Sequence, residues 1–424
     1  MSEHRIPGLI LREHVFDVPL HRGANSPRIE VFGREVVRPD RDGDSLPWLV
    51  FLQGGPGFGS PRPFGRTGWL KVALERYRVL LLDQRGTGRS TPVTAASLAR
   101  LPNDASRAEY LSHFRADGIV RDCEHIRDAL VGSTECWSLL GQSFGGFVSV
   151  CYLSTAPHGL REVFITGGLP PLDAHPDTIY DASYARLQRK NQAYFERYPQ
   201  DRARLREVLR TCSLDGVALP TGGTLGPQRV QLLGLAFGMS DGFEQVHYLL
   251  EDAFESGQAG PLRETFLRSL VSTQPFETHP LFSVLHEAAY CQGFASRWSA
   301  QRVRERWPAF DPSHASPMLT GEMIYPWMFE QIPGLRPFAN AASLLADKDD
   351  WPALYDGTVL ARNEVPTVAA IYAEDMYVER SFSEDTAERI RGLRPWLTNA
   401  FDHNGLRADS AVLSRLFDMM HGDA

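Results

Sequence analysis

The run Trp137-Ser-Leu-Leu-Gly-Gln-Ser-Phe-Gly-Gly146 narrows the possible folds of this chain more than any other segment. It sets Gly141-x-Ser143-x-Gly145 between an apolar stretch and the continuing apolar segment Phe147-Val-Ser-Val-Cys-Tyr-Leu153. The predicted order is strand, sharp turn, helix. A Cβ on either glycine would collide with backbone that such a turn brings close, and the serine between them is held in a sparsely populated conformation that exposes its Oγ. A turn of this kind is a nucleophile elbow.

Two segments upstream and one downstream fit the surroundings that an elbow requires. Trp48-Leu-Val-Phe-Leu52 reads as a fully buried strand running into Gln53-Gly-Gly-Pro-Gly57, a loop whose glycines let backbone N–H groups approach a ligand. The N–H of Gly55 is paired with that of Phe144, the residue after the serine, as an oxyanion hole. Tyr77-Arg-Val-Leu-Leu-Leu-Asp83 is a second buried strand. It leads into Gln84-Arg-Gly-Thr-Gly-Arg-Ser90, where Asp83, Arg85 and Ser90 have the hydrogen-bonding capacity to lock a loop, an architectural part rather than a catalytic one. Downstream, Pro366-Thr-Val-Ala-Ala-Ile-Tyr-Ala373 reads as a strand ending at Glu374-Asp375. A helical stretch from Phe382 to Arg391 and the apolar Trp396-Leu-Thr-Asn-Ala-Phe401 then precede His403. One helix and one strand return the chain to the same sheet edge.

The residue types explain the chemistry expected of them. A serine hydroxyl is a weak nucleophile until a base takes its proton, which neutral imidazole does near pH 7 before passing the proton to the leaving amine. His403 is the candidate base and Asp375 the acid that holds its tautomer, in the chain order Ser, Asp, His. Glu374 is the rival acid. Neighbouring side chains near a strand end point opposite ways, so only one of the two faces His403. Activity is expected to decline on acidification with a limb at about pH 6 to 7.

Length and spacing set the architecture. At 424 residues the chain exceeds what a single core usually supports. Arg161-Glu-Val-Phe-Ile-Thr166 is the strand after the elbow helix, and the next strand bearing chemistry begins only at Pro366. The reading is an α/β fold of the α/β-hydrolase type, with a mostly parallel sheet flanked by helices. Residues 1–170 and 361–424 form its core, and residues 171–360 are inserted as a largely helical cap. Tyr184 to Arg197, Asp201 to Cys212 and Glu244 to Glu255 carry the mixed apolar and charged spacing of amphipathic helices.

Composition excludes other classes. With 44 basic and 52 acidic residues the net charge is −8, which offers no attraction to nucleic acid or an anionic membrane. No apolar run approaches the ~20 residues that span a bilayer, and Met1-Ser-Glu-His-Arg-Ile-Pro lacks a signal peptide's apolar core. Cys123, Cys136, Cys151, Cys212 and Cys291 are scattered and odd in number; they read as reduced, buried thiols in a cytoplasmic protein rather than disulfides or metal ligands. Nothing in the sequence sets an oligomeric state.

Together, Gln53-Gly-Gly-Pro-Gly57, Asp83-Gln-Arg-Gly-Thr-Gly-Arg-Ser90, Gly141-Gln-Ser-Phe-Gly-Gly146 and His403-Asn-Gly-Leu-Arg407 resemble the proline iminopeptidase family of α/β-hydrolase serine peptidases along the whole chain. Gln53 departs from the pattern, since many members carry histidine there. The resemblance implies a serine exopeptidase that releases proline from peptides with that residue at the N-terminus, without a metal or organic cofactor. It also implies that cap glutamates bind the substrate's amine, one of them in an E-x-x-Y context like that of Glu287 and Tyr290, with Glu322 as the second choice. Phe144, Tyr325 and Trp327 are candidate apolar walls for the pyrrolidine ring. Fold and triad do not fix the acyl substrate, so an esterase, amidase or lactonase on this scaffold stays open, as does a catalytically silent binding protein.

Overall fold

Alternation of side chains along each strand divides the interior in two. The computed structural model describes residues 2–214, 216–255, 257 and 259–422. Its sheet strands are β1 (Ser2–Ile6), β2 (Leu9–Pro19), β3 (Arg28–Val37), β4 (Trp48–Leu52), β5 (Arg78–Asp83), β6 (Trp137–Gln142) and β7 (Leu160–Thr166). A two-residue hairpin follows, β8 (Val217–Ala218) and β9 (Thr224–Leu225), and two further sheet strands, β10 (Thr367–Tyr372) and β11 (Leu393–Thr398), come last. In β4, Val50 and Leu52 join one hydrophobic cluster while Leu49 and Phe51 join another on the opposite face. β5 repeats this with Leu80 and Leu82 against Val79 and Leu81, as a period of two demands when helices cover both faces.

The nine-stranded sheet runs β1-β2-β3-β5-β4-β6-β7-β10-β11. The first three strands form an antiparallel meander, and β3 is also antiparallel to β5. From β5 through β11 every pairing within the sheet is parallel. β7 and β10 are neighbours, with Val163 opposite Thr367, although the chain between them includes residues 167–366. Apart from the β8–β9 hairpin, the regular elements of that intervening stretch are helices, the longest being Pro176–Arg197 and Asp201–Leu214. Because loops between parallel strands gather at one sheet edge, the ends of β4, β6 and β10 converge beneath this insertion.

Asp83, fully buried at the end of β5, fastens the neighbouring loops. Its carboxylate accepts from the backbone N–H of Ser60 (2.9 Å) and Arg89 (2.8 Å) and from the guanidinium of Arg62 (3.0 and 2.6 Å). Arg85 is equally enclosed, paired in a fork with Asp122 at 2.7 and 2.6 Å and donating to the carbonyls of Leu20 and His113. Ser90 Oγ donates to Asp83 O and accepts from Phe32 N. Each of these polar groups is spent on holding backbone.

Four cysteines are buried, whereas Cys136 is exposed, contrary to the sequence expectation. It lies one residue before β6, in the loop from the helix Ala116–Val131, so it never enters the sheet interior. No helix among the described residues is long and apolar enough to cross a membrane.

Candidate active site

Ser143 stands between β6 and the helix Phe144–Thr155 with φ 56° and ψ −124°, a region that non-glycine residues avoid. Close packing enforces the turn. A Cβ on Gly145 would lie 1.9 Å from the Leu52 carbonyl oxygen, and one on Gly54 would lie 2.7 Å from Ser143 Cβ. The loop after β4 therefore rests directly against the serine. Gln84 Nε2 holds that loop by donating to the Gln53 carbonyl at 2.9 Å. Phe144 is the first residue of its helix, so its N–H has no carbonyl partner one turn back, and the positive end of the helix dipole lies beside the serine.

His403 and Asp375 meet as the order of segments requires. His403 Nδ1 lies 2.7 Å from Asp375 Oδ2, and both residues are buried. Asp375 Oδ1 accepts from the N–H groups of Tyr377 (2.9 Å) and Val378 (3.1 Å), which fixes the carboxylate plane. Glu374 turns the other way, to Arg186 at 2.7 Å, with its side chain more than half exposed. Burial works against a charged His403, but the charge and hydrogen bond of Asp375, aided by the negative charge of Glu322, outweigh it and raise its pKa. The Tyr377 ring stands edge-on to the imidazole at 4.8 Å.

Ser143 opens on two spaces. One is a cavity of about 820 Å³ lined by Gln53, Gly54, Gly55, Gln142, His403 and Arg407 at its floor. Leu232, Leu235, Met239, Val246 and Leu249 of the insertion form its walls. The other is a small recess bounded by Gly55, Pro56, Phe144, Phe147, His286, Tyr290, Glu322 and Val378. Glu322 borders both spaces, 3.5 Å from His286 Nε2. The Tyr180 hydroxyl lies 3.0 Å from His286 Nδ1, on the far side of that ring.

Not every residue expected at the site is there. Glu287 borders neither space. Its buried carboxylate accepts from the N–H groups of Ser299 (3.1 Å) and Ala300 (2.9 Å) at the start of the helix Ser299–Arg304, and burial raises its pKa. His286, Ala289 and Tyr290 border the recess, whereas the two N–H donors hold the Glu287 carboxylate away from it. Tyr325 is fully buried, its hydroxyl 2.8 Å from that of Tyr184, with Arg304 over its ring. Trp327 stacks on Tyr325 at 5.8 Å. Both are core residues of the insertion rather than walls for a ligand. Conversely, Phe147, His286, Tyr377 and Arg407 line the site without having been singled out. Phe147 and Arg407 each lie four residues after a candidate catalytic residue, a helical spacing that could have flagged them.

Comparison with known proteins agrees with this fold. Residues 47–213 match the family described as the alpha/beta hydrolase fold. A solved structure of esterase E22 superposes with a TM-score of 0.50 at 11% identity, covering 97% of this chain and 100% of that one, which is a likeness of fold alone. The chain is 36% identical to a proline iminopeptidase of Aspergillus aculeatus, over 95% of this chain and 92% of that protein. It is 49% identical to the proline iminopeptidase of Aeromonas sobria, over 97% of this chain and 96% of that protein. With likeness at that level running nearly end to end, the chain belongs to the proline iminopeptidase family of α/β-hydrolases.

Proposed function

We propose that this chain is a serine exopeptidase that releases N-terminal proline through an acyl-enzyme on Ser143, with His403 as base and then acid and Asp375 as its orienting partner. One arrangement carries the reading. Ser143 lies beside Glu322, a carboxylate that borders both the large cavity and a small recess at the serine. The carboxylate suits the cationic amine of a substrate held at the serine, and the cavity has room for the peptide that follows it.

In this mechanism Ser143 Oγ attacks the prolyl carbonyl while its proton passes to His403 Nε2. The N–H groups of Gly55 and Phe144 receive the charge that develops on oxygen. Asp375 accepts from Nδ1–H, which leaves Nε2 free to take the proton and stabilises the imidazolium. Collapse of the tetrahedral intermediate breaks the C–N bond as His403 returns the proton to the leaving amine. Water then repeats the sequence on the ester and frees proline. Phe144, Phe147 and Tyr290 enclose the ring, and Glu322 binds the cationic amine.

The raised pKa of His403 moves the pH expectation upward from the ordinary range. Only neutral imidazole accepts the serine proton, so kcat/KM should fall as pH drops through a pKa above the usual histidine value of about 6.5. A pH profile of kcat/KM checks this, and a limb at or below that value would count against it.

The experiment that tests the reading is Glu322→Gln. It keeps volume but removes a charge-assisted hydrogen bond to the amine, so kcat/KM on a prolyl amide should fall about 10- to 150-fold. A small neutral ester with no amine should be hydrolysed at a much less altered rate. Equal losses on both substrates, or none on the prolyl amide, would place amine recognition elsewhere.

A further inference from the structure

Arg407 is the only lysine or arginine among the described residues that line the large cavity. It reaches the wall from the short helix Gly405–Ala408, directly after His403. Its guanidinium donates to the side-chain oxygen of Gln142 at 3.2 Å. Among the described residues it forms no ion pair with a carboxylate, in contrast to the forked pairs that engage Arg85 and Arg186. Although its surface is open to the cavity, the surrounding protein penalises the charge and lowers its pKa. An arginine that opens onto the cavity beside the nucleophile and has no carboxylate partner is placed to pair with an anionic ligand.

The position of Arg407 says what that ligand is. Arg407 lines the large cavity and not the recess that Phe144, Phe147 and Tyr290 border, so on the reading above the guanidinium lies on the side of the serine that receives the leaving group. Gln142 Oε1 lies 3.2 Å from where a Cβ on Gly54 would stand, a point itself 2.7 Å from Ser143 Cβ. These contacts hold Arg407 Nη2 within about 9 Å of Ser143 Cβ, which is the reach of one residue of about 3.3–3.6 Å plus the bonds at either end. Glu277, the other carboxylate of the cavity besides Glu322, is 3.3 Å from Arg229 and so is already engaged.

Resting on the exopeptidase reading above, we infer that Arg407 binds the free α-carboxylate of a one-residue leaving group, which makes prolyl dipeptides with an unblocked C-terminus the favoured substrates. The planar guanidinium matches a carboxylate in a two-bond fork, which a lysine would not reproduce. A longer peptide places an amide at that point and forfeits the charge-assisted contact.

The test compares Pro-Leu with Pro-Leu-amide on the full-length enzyme and on Arg407→Gln. The wild type should favour the free acid by about 10-fold or more in kcat/KM, mostly through KM, and in Arg407→Gln the two substrates should come within about 2-fold of each other. Because the readout is a ratio within each enzyme, general damage to catalysis or to His403 leaves it unmoved. A wild-type ratio near one would overturn the inference, as would an unchanged preference in Arg407→Gln. Failure of the exopeptidase reading is distinct: neither substrate would then yield free proline.

Discussion

Ser143→Ala is expected to fold as the wild type does and to lose about 10⁶-fold in kcat on a prolyl amide, the scale on which a cooperating nucleophile and base fail together. The size of the effect follows from the site. Glu322, the recess and the backbone donors of Gly55 and Phe144 would all remain, so substrate should still bind. What is lost is the one oxygen exposed by a turn that Gly145 and Gly54 pack too closely to rearrange. Alanine occupies the same strained backbone position without a new clash, and circular dichroism and thermal unfolding should be close to wild type. KM near the wild-type value with vanishing kcat would locate the loss in chemistry. Retention of more than about one per cent of turnover would remove Ser143 from the mechanism.

Asp375→Asn should cost about 10⁴-fold in kcat, through the tautomer of His403 rather than through its position. Asp375 Oδ1 is fixed by two backbone N–H donors, from Tyr377 and Val378, while Oδ2 meets His403 Nδ1. An asparagine keeps those two donors only by presenting its carbonyl oxygen to them, and it must then aim its NH₂ at the imidazole. That forces Nδ1 to accept and puts the ring proton on Nε2, the atom that has to receive the proton of Ser143. Glu374→Gln, one residue away but turned toward solvent and Arg186, should change kcat by less than about 2-fold, within the range of ordinary surface changes. Comparable losses in the two variants would mean that the carboxylates act through the loop as a whole.

The parts of this molecule that were legible in the sequence are those governed by local geometry. The elbow at Ser143, the glycine loop after β4, the Asp83–Ser90 lock and the buried strands all follow from short-range sterics and from apolar runs of strand length. Asp375 and His403 were found through chain order, because the ends of parallel strands fall at one edge. Within the insertion, local pattern fails. Helices can be read there, but the direction each one faces depends on how it packs over the sheet. Glu287 and His286 are adjacent in sequence, yet one caps a helix start and the other borders the recess. Tyr325 and Trp327 look like ligand walls only until their neighbours Tyr184 and Arg304 are known. Cys136 shows the same limit at a smaller scale, since one residue beyond the strand start was enough to expose it.

The central claim is that proline is transferred to Ser143 before water releases it, and trapping that ester tests it most directly. A prolyl ester of a good leaving group should acylate the enzyme quickly, and acid quenching in the first turnovers should preserve the adduct for peptide mapping by mass spectrometry. The account predicts one prolyl group per chain on the peptide containing Ser143, absent from Ser143→Ala and decaying with release of free proline. A prolyl adduct on another residue, such as the exposed Cys136, or proline release that proceeds at full rate in Ser143→Ala, would contradict it.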